Sequence, residues 1–244
     1  MTLNREYHKW ESPALGREME LLVFGHAGQQ MLVFPSRKQR FFEYEEHGMV
    51  HALRHSLEAG TLQLICVDSV DAESLYCFDK TPEQRIDRHL EYERYVIEEV
   101  LPFAARLNPQ PEMIAHGCSF GAYHAMTLAL RYPEYFRRVI AFSGRYDLTL
   151  NSGDFHTLFH GFYDERLRSI MPSHFVPSLT DRKLLRQIRH IRFTLVIGED
   201  DPFYADNMAL AKAFTDKTIS HEFHTWVGNA HRFRYWRQMA RVYV

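Results

Sequence analysis

The chain has 244 residues, of which 45% are hydrophobic and 25% are charged, and its formal net charge is −2. These proportions are ordinary for a soluble globular protein, and the length fits one large domain, so we expect residues 1–244 to form a single unit. No stretch approaches the roughly 18 uninterrupted apolar residues of a membrane span, and the balanced charge favours neither nucleic acid nor an anionic membrane as a partner.

The N-terminal residues and the spacing of the cysteines argue against a secreted protein and against a disulfide-rich or metal-binding one. Residues 1–10 contain no apolar stretch of the kind found in a secretory leader, which predicts a cytoplasmic protein. The three cysteines, Cys66, Cys77 and Cys118, form no CxxC pair and no metal-ligand spacing. We therefore expect neither a disulfide framework nor a metal site.

Short apolar runs typical of strands recur along the chain. The first two are joined by Gly-His-Ala-Gly at residues 25–28, which predicts an antiparallel hairpin ahead of the parallel part of the sheet. Residues 7–10 are a candidate for one more edge strand. The predicted strands are residues 18–24, 30–34, 62–67, 112–115, 138–142, 193–197 and 220–226.

Longer amphipathic patterns between these runs predict helices. The second of them begins well, with Thr81 as N-cap, Pro82 at the first helical position and Glu83 in the first turn. Because strands and helices alternate, we expect an α/β fold, with a mostly parallel sheet, N-terminal antiparallel strands and helices on both faces. The predicted helices are residues 42–57, 82–107, 119–131, 205–214 and 231–242.

The most informative motif is a G-x-S-x-G pentapeptide, Gly117-Cys118-Ser119-Phe120-Gly121, which lies between a predicted strand and a predicted helix. This combination is typical of the nucleophile elbow of α/β-hydrolases. Glycine suits the elbow because the turn is strained and side chains beside it would collide with the adjoining strand and helix. The turn exposes a hydroxyl above a helix N-terminus, where N–H groups suit a developing oxyanion. We predict that Ser119 is the nucleophile rather than part of a glycine-serine turn without chemistry.

Residues 143–190 interrupt the alternation of strands and helices. This segment has few sustained apolar runs but many aromatic and histidine side chains. Loops at the carboxyl ends of strands line the ligand crevice of α/β sheets, so we expect a lid-like insertion or a wall of the acyl pocket. Aromatic residues also fill small satellite cores under long loops, and the sequence leaves that alternative equally open.

An acidic loop, Gly198-Glu199-Asp200-Asp201-Pro202, follows the strand predicted at residues 193–197. In α/β-hydrolases the catalytic acid and then the histidine follow the serine along the chain. We favour Asp201 as the acid because the proline directly after it fixes the turn. Asp200 stays open as the alternative, and a helix start would favour acidic residues here even without a catalytic role.

The histidine is expected in a loop after the last strand. Residues 228–231, Gly-Asn-Ala-His, form a turn ahead of the terminal helix and place His231 at the start of that helix. His221 and His224 lie within or beside the strand and are less suited to reach the site. Order and location therefore favour His231.

An oxyanion hole needs two N–H donors, and the residue after the nucleophile, Phe120, supplies one. The other is expected from residues 35–40, Pro-Ser-Arg-Lys-Gln-Arg, a loop without an HGGG signature. Proline has no N–H to donate, so Arg37 or Ser36 is the candidate, and we favour Arg37.

With these positions assembled, the chain resembles the putative esterase family of α/β-hydrolases, which includes esterase D or S-formylglutathione hydrolase, feruloyl esterase domains and mycolyltransferases. The resemblance spans nearly the whole chain and rests on residues 117–124, 198–204, 228–231 and 235–237. It implies that Ser119, Asp201 and His231 form a triad and that the loop at residues 35–37 supplies an oxyanion donor. It also implies hydrolysis of a carboxylic ester or thioester through an acyl-enzyme, without a metal or an organic cofactor. The long basic side chains of the loop at residues 35–40 depart from the family pattern.

We therefore predict a cytoplasmic serine esterase whose partner is a small-molecule ester or thioester, with a homo-oligomer left open. Acyl transfer to an alcohol by the same triad is one alternative. A catalytically inactive, hydrolase-like binding protein is another. The sequence does not identify the acyl group or the leaving group.

Overall fold

The computed structural model describes residues 3–109 and 112–244. Within those ranges, no helix combines the length and the apolar character needed to cross a membrane. The absence of a secretory leader, predicted from residues 1–10, concerns in part residues 1 and 2, which lie outside the described ranges.

In the described part of the chain, eight strands form one sheet, in the order β1-β2-β4-β3-β5-β6-β7-β8. The strands from β4 and β3 to β8 pair in parallel, whereas β1 and β2 pair antiparallel with each other and β2 pairs antiparallel with β4. The mostly parallel sheet with antiparallel N-terminal strands is therefore confirmed. The strands are β1 (Arg5–Ser12), β2 (Arg17–Phe24), β3 (Gln29–Phe34), β4 (Leu62–Val67), β5 (Met113–Cys118), β6 (Phe136–Phe142), β7 (Arg192–Gly198) and β8 (His221–Trp226).

The antiparallel hairpin predicted across residues 25–28 is wrong. β2 forms its hairpin with β1, and β4 lies between β2 and β3. The glycines explain the difference, because both Gly25 and Gly28 have positive φ and pack against the beginning of β4. A Cβ at Gly28 would lie 2.2 Å from the carbonyl carbon of Thr61, so only glycine lets the connection pass so close to that strand.

The five predicted helices are present with two changes, and three further helices lie in the segment at residues 143–190, where none was predicted. The helix predicted at residues 42–57 is broken into α1, α2 and α3, with a left-handed residue, Gly48, between the first two. The helix predicted at residues 82–107 runs from α4 to α5 through a π-helical turn at Val96–Val100, and Thr81 caps it in a capping box with Gln84. The helices are α1 (Glu43–Glu46), α2 (Met49–Ala52), α3 (Arg54–Glu58), α4 (Pro82–Tyr95), α5 (Leu101–Leu107), α6 (Phe120–Arg131), α7 (Glu165–Ser169), α8 (Pro172–Ser178), α9 (Arg182–Ile188), α10 (Tyr204–Asp216) and α11 (Phe233–Tyr243).

Each face of the sheet carries its own buried cluster. On one face, residues of α4, α5, α6, α9 and α10 pack on the sheet, with Tyr92, Met126 and Leu210 fully buried. On the other face the short helices α1 to α3 and the terminal helix α11 pack against it. Coverage of both faces requires strands that are apolar on both sides, and β4 is buried at every position.

The segment at residues 143–190 contains α7, α8 and α9. Leu148, Leu158 and Phe159 from this segment form a third buried cluster with Phe120 and Tyr123 of α6. The segment thus has a satellite core, and this core holds it directly against the helix that follows Ser119.

Candidate active site

Ser119 occupies a one-residue turn between β5 and α6. Its backbone has φ 55° and ψ −118°, a conformation that L-residues rarely adopt. The backbone N–H of Ser119 donates a 2.8 Å hydrogen bond to the carbonyl of Phe142, at the end of the neighbouring strand β6. The turn therefore continues the sheet and projects the serine above the first turn of α6.

The glycines on either side of this turn are required by close backbone packing. A Cβ at Gly117 would lie 2.2 Å from the carbonyl carbon of Gly121, and a Cβ at Gly121 would lie 2.3 Å from the carbonyl oxygen of Phe34. Real Cβ atoms do not approach backbone so closely, so only glycine fits at either position. The contact with Phe34 brings the start of α6 against the loop that follows β3.

Ser119, His231 and Asp201 form one hydrogen-bonded chain. His231 Nε2 lies 3.0 Å from Ser119 Oγ, and His231 Nδ1 lies 2.8 Å from Asp201 Oδ2. The Asp201 carboxylate can only accept, so Nδ1 carries the ring proton and Nε2 is free to accept from the serine hydroxyl. Asp201 is 4% exposed, and its Oδ1 accepts a 3.0 Å bond from the backbone N–H of Phe203.

The three side chains meet because β5, β7 and β8 are parallel, so the loops after them leave the same edge of the sheet. The acid loop and the histidine loop also pack on each other, since a Cβ at Gly198 would lie 2.2 Å from the carbonyl oxygen of Asn229. Asn229 Oδ1 accepts a bond from the backbone N–H of His231, and Ala230 between them has φ 51°.

Aromatic rings enclose the imidazole of His231. The ring centroid of His231 lies 5.2 Å from that of Trp236, 5.8 Å from that of Phe203 and 6.0 Å from that of Phe155. Only 14% of the histidine side chain is exposed. Its orientation is thus fixed by packing as well as by Asp201.

The other acids of the loop face solvent. Asp200 is exposed, and its backbone, not its carboxylate, bonds to the histidine loop, through Gly228 and Asn229. Glu199 is exposed and accepts from the Gly228 N–H at 3.3 Å. Of the two acids that the sequence left open, Asp201 is the one in contact with His231.

The backbone N–H groups of the loop after β3 differ in whether they have an acceptor in the described chain. The Ser36 N–H donates a 2.7 Å bond to Glu43 Oε2, and the Lys38 N–H donates a 2.9 Å bond to Asp71 Oδ2. Between them, the Arg37 N–H has no acceptor among residues 3–109 and 112–244, and the same holds for the Phe120 N–H. These two N–H groups are therefore available to an external oxyanion, whereas the Ser36 N–H is not.

Two buried carboxylates hold this loop by hydrogen bonds, Glu43 at Ser36 and Asp71 at Lys38. Glu43 also accepts from the Ser36 hydroxyl, and burial raises the pKa of the Glu43 carboxyl. Asp71 is 1% exposed, and its other oxygen accepts a 2.8 Å bond from His124 Nε2 of α6. Asp71 therefore couples the loop to the helix that follows Ser119.

The other nucleophilic or basic side chains considered, Cys118, His116 and His221, are buried or bonded away from Ser119. Cys118 is buried, and burial raises the pKa of its thiol well above the ordinary value, so it does not supply a thiolate. His116 bonds to Tyr44 and to the Ile140 carbonyl, and burial lowers its pKa to about 4. His221 bonds to the carbonyl of Ile219.

The family model described as "Putative esterase" matches residues 43–239. The chain belongs to the putative esterase family. Ester hydrolysis is the activity that this membership supports. No curated protein sequence matches the chain significantly.

Solved structures share the fold of this chain along its whole length. A ferulic acid esterase has a TM-score of 0.79 at 14% identity, and the match covers 100% of this chain and 97% of that chain. An S-formylglutathione hydrolase from Agrobacterium tumefaciens has a TM-score of 0.75 at 17% identity, with coverages of 99% and 95%. A fluorophosphonate-binding serine hydrolase from Staphylococcus aureus has a TM-score of 0.69 at 17% identity, with coverages of 99% and 97%. The predicted α/β-hydrolase fold is thereby confirmed.

The sequence analysis missed several side chains of the candidate site. Glu43 and Asp71, which hold the loop after β3, carry no motif and lie 7 and 33 positions from their backbone partners. Trp236 lies within residues 235–237, on which the resemblance to the family rests in part, but that resemblance assigned it no role, and its ring packs on His231. Its spacing of five residues from His231, at the start of a helix, is the one local signal for that contact.

Proposed function

We propose that this protein is a serine hydrolase that cleaves a carboxylic ester or thioester through an acyl-enzyme. The observation that carries the proposal is the hydrogen-bonded chain from Ser119 Oγ through His231 to the buried Asp201 carboxylate. A serine hydroxyl is a poor nucleophile until a base removes its proton, and the base must be held in the correct tautomer. The chain of bonds supplies both requirements.

In the acylation half, Ser119 Oγ attacks the acyl carbonyl carbon while His231 Nε2 takes the hydroxyl proton. Asp201 stabilises the resulting imidazolium through Nδ1–H. The tetrahedral intermediate collapses when the bond to the leaving group breaks and His231 returns the proton to the departing alkoxide or thiolate. The acyl group then remains as an ester on Ser119.

Deacylation repeats these steps with water as the nucleophile. His231 removes a proton from water, the hydroxide attacks the acyl carbonyl carbon, and Ser119 leaves with the proton that His231 returns. In both halves the negative charge develops on the carbonyl oxygen. The N–H groups of Phe120 and Arg37 are the proposed donors to that oxygen, because both lack an acceptor in the described chain and the contact of Gly121 with Phe34 brings their segments together.

Labelling with a fluorophosphonate probe, followed by peptide mass spectrometry, tests the proposal. We expect the probe on Ser119 alone, together with turnover of 4-nitrophenyl esters of short acids. A folded protein that is neither labelled nor active on such esters would exclude the hydrolase and favour a binding protein with a hydrolase fold.

The hydrogen bond between Glu43 and the loop after β3 leads to a prediction for catalysis. Glu43→Ala removes the acceptor of the Ser36 N–H and is expected to lower kcat about 10-fold to 100-fold, because the neighbouring Arg37 N–H is no longer held in position. Glu43→Gln should recover much of this loss, since its amide oxygen can still accept from Ser36. The measurement is kcat and KM for a neutral ester, with the melting temperature recorded for each variant.

Glu46 provides the matched control, because it lies on the same short helix α1 and is exposed. Glu46→Ala is expected to keep kcat within a factor of about two. An equal fall in kcat for Glu43→Ala and Glu46→Ala would show that the Glu43 bond does not position the donor.

A further inference from the structure

A cavity of about 440 Å³ adjoins the proposed catalytic residues. Its walls come from the loop after β3, from the segment that follows β4 and from the segment at residues 143–190, and they include Arg37, Tyr76, Arg145 and Phe155. The Tyr76 ring packs edge-on against Phe120, with centroids 4.9 Å apart, and the Phe155 ring lies 6.0 Å from His231. Two of the lining rings therefore pack against residues of the site, one beside the proposed oxyanion donor Phe120 and one beside His231. Its volume is in the range typical of pockets for small molecules.

The cavity is strongly cationic. Arg37, Lys38 and Arg145 line it, against one carboxylate, the exposed Asp154. Within residues 3–109 and 112–244, none of these three cations lies within ion-pair distance of a carboxylate. Arg40, in the same loop as Arg37, does have carboxylate partners: it forms ion pairs with Asp68 and Glu20, and it does not line the cavity.

Arg145 is the most unusual of the three because it is only 2% exposed. Its Nε and one terminal nitrogen donate to the backbone carbonyls of Asp147, Leu150 and His156, and the guanidinium also hydrogen-bonds with Tyr76. Carbonyl dipoles satisfy donors but do not neutralise the charge. The carboxylates of Asp206 and Asp147 attract the guanidinium from beyond ion-pair distance. A buried guanidinium without a direct carboxylate partner is costly, and an anion that enters the cavity would compensate for it.

Arg37 is held over the same cavity by two aromatic rings. Its guanidinium carbon lies 5.8 Å from the ring centroid of Tyr76 and 5.6 Å from that of Phe155. These contacts limit the freedom of an exposed arginine and leave its donors available to a ligand. The aromatic walls suit an apolar or aromatic body, and the two arginines suit an anionic end.

We propose that this cavity binds an anionic group of the substrate, so that the preferred substrates are esters or thioesters whose acyl or leaving group carries a carboxylate or similar anion. The inference rests on the proposed function, because the anion is placed relative to acyl transfer at Ser119. Arg145 is its buried anchor, and the Arg37 side chain closes over it from the loop that also supplies the oxyanion N–H.

Two matched pairs of esters test the inference and distinguish the two sources of the charge. On the acyl side, 4-nitrophenyl hydrogen adipate is compared with 4-nitrophenyl hexanoate. On the leaving-group side, 4-acetoxybenzoate is compared with its methyl ester. We expect kcat/KM to be higher for the charged member of one pair by about tenfold or more after correction for uncatalysed hydrolysis. The pair that shows the preference identifies the side on which the anion binds.

Variants then test the residues through the ratio of kcat/KM for the charged ester to that for the neutral ester. Because both esters are measured on the same variant, a general loss of activity cancels in this ratio. Arg145→Gln and Arg37→Gln are each expected to lower the ratio about tenfold, and Arg145→Lys should retain part of the preference because it keeps the charge. Arg54→Gln, which changes a surface arginine paired with Glu58, is the control and should leave the ratio unchanged. If Arg145→Gln does not fold, Arg37→Gln at its exposed position decides.

Calorimetric titration of the protein with benzoate separates failure of this inference from failure of the proposed function. We expect benzoate to bind the wild type and the Arg54→Gln control and to bind Arg37→Gln at least about tenfold more weakly. Equal rates for both members of each pair, with no benzoate binding, would overturn the anion site while labelling of Ser119 still supported the hydrolase. Benzoate binding without labelling or turnover would support the anion site in a protein that is not a hydrolase.

Discussion

Alanine at position 119 is expected to lower kcat for 4-nitrophenyl esters by about 10⁶-fold and to abolish labelling by a fluorophosphonate. Without the hydroxyl no acyl-enzyme forms, and the remaining rate comes from substrate binding and the oxyanion donors alone. The side chain of Ser119 bonds only to His231 in the described chain, so its loss should hardly change stability. The measurement is single-substrate kinetics, with the melting temperature and the circular dichroism spectrum as checks on folding.

Cys118 offers a neighbouring control for this variant. It is buried beside the turn, and Cys118→Ala is expected to keep kcat within about tenfold while lowering stability modestly, because it removes a small packed side chain. If Cys118→Ala abolished activity and Ser119→Ala preserved it, the nucleophile would be the thiol and the proposed mechanism would be wrong.

The strands and helices of this chain were predictable because their signals are local. The predicted strand at residues 62–67 coincides with β4, and the others agree with the structure to within about three residues at each end. Strand pairing is not local, which is why the predicted hairpin across residues 25–28 was wrong. Periodicity identifies β2 and β3 as strands but carries no information that β4, more than 25 residues further on, inserts between them.

The residues of the candidate site were predictable for a related reason. Each of Ser119, Asp201 and His231 lies four or five residues after the end of a predicted strand, and the carboxyl ends of parallel strands converge at one edge of the sheet. The choice between Asp201 and Asp200 was not settled by this argument, since both follow β7. It depends on the turn in which the Asp201 N–H bonds to the Gly198 carbonyl, and that turn directs one acid inward and leaves the other exposed.

The roles of side chains around the triad, such as Asp71 and Arg145, could not be predicted from the sequence. Asp71 lies in a loop without regular structure, and nothing in its neighbourhood indicates that its carboxylate holds a backbone N–H from the loop after β3. Arg145 belongs to a segment whose aromatic content left a lid and a satellite core equally open. In the structure Phe159 of this segment packs in a buried cluster, and Phe155 lines the cavity and packs near His231.

Asparagine at position 201 is expected to lower kcat by about 10⁴-fold without unfolding the protein. The reason lies in the second bond of the Asp201 carboxylate, which accepts from the Phe203 N–H at 3.0 Å. If the amide oxygen of asparagine keeps that bond, its NH₂ group faces His231 Nδ1, and the ring proton must move to Nε2. Nε2 then cannot accept from the Ser119 hydroxyl, so the base is present but in the wrong tautomer.

The matched variant is Asp200→Asn, which makes the same chemical change one residue earlier on an exposed side chain. It is expected to keep kcat within about threefold, because the Asp200 contacts with the histidine loop come from its backbone. Both variants should keep the wild-type melting temperature to within a few degrees, so a difference in kcat reports on the histidine. A 10⁴-fold loss confined to Asp200→Asn would assign the acid to the other carboxylate, and an equal small effect of both would mean that His231 needs no carboxylate partner. The expected asymmetry between two adjacent aspartates thus tests the choice of acid that the sequence left open.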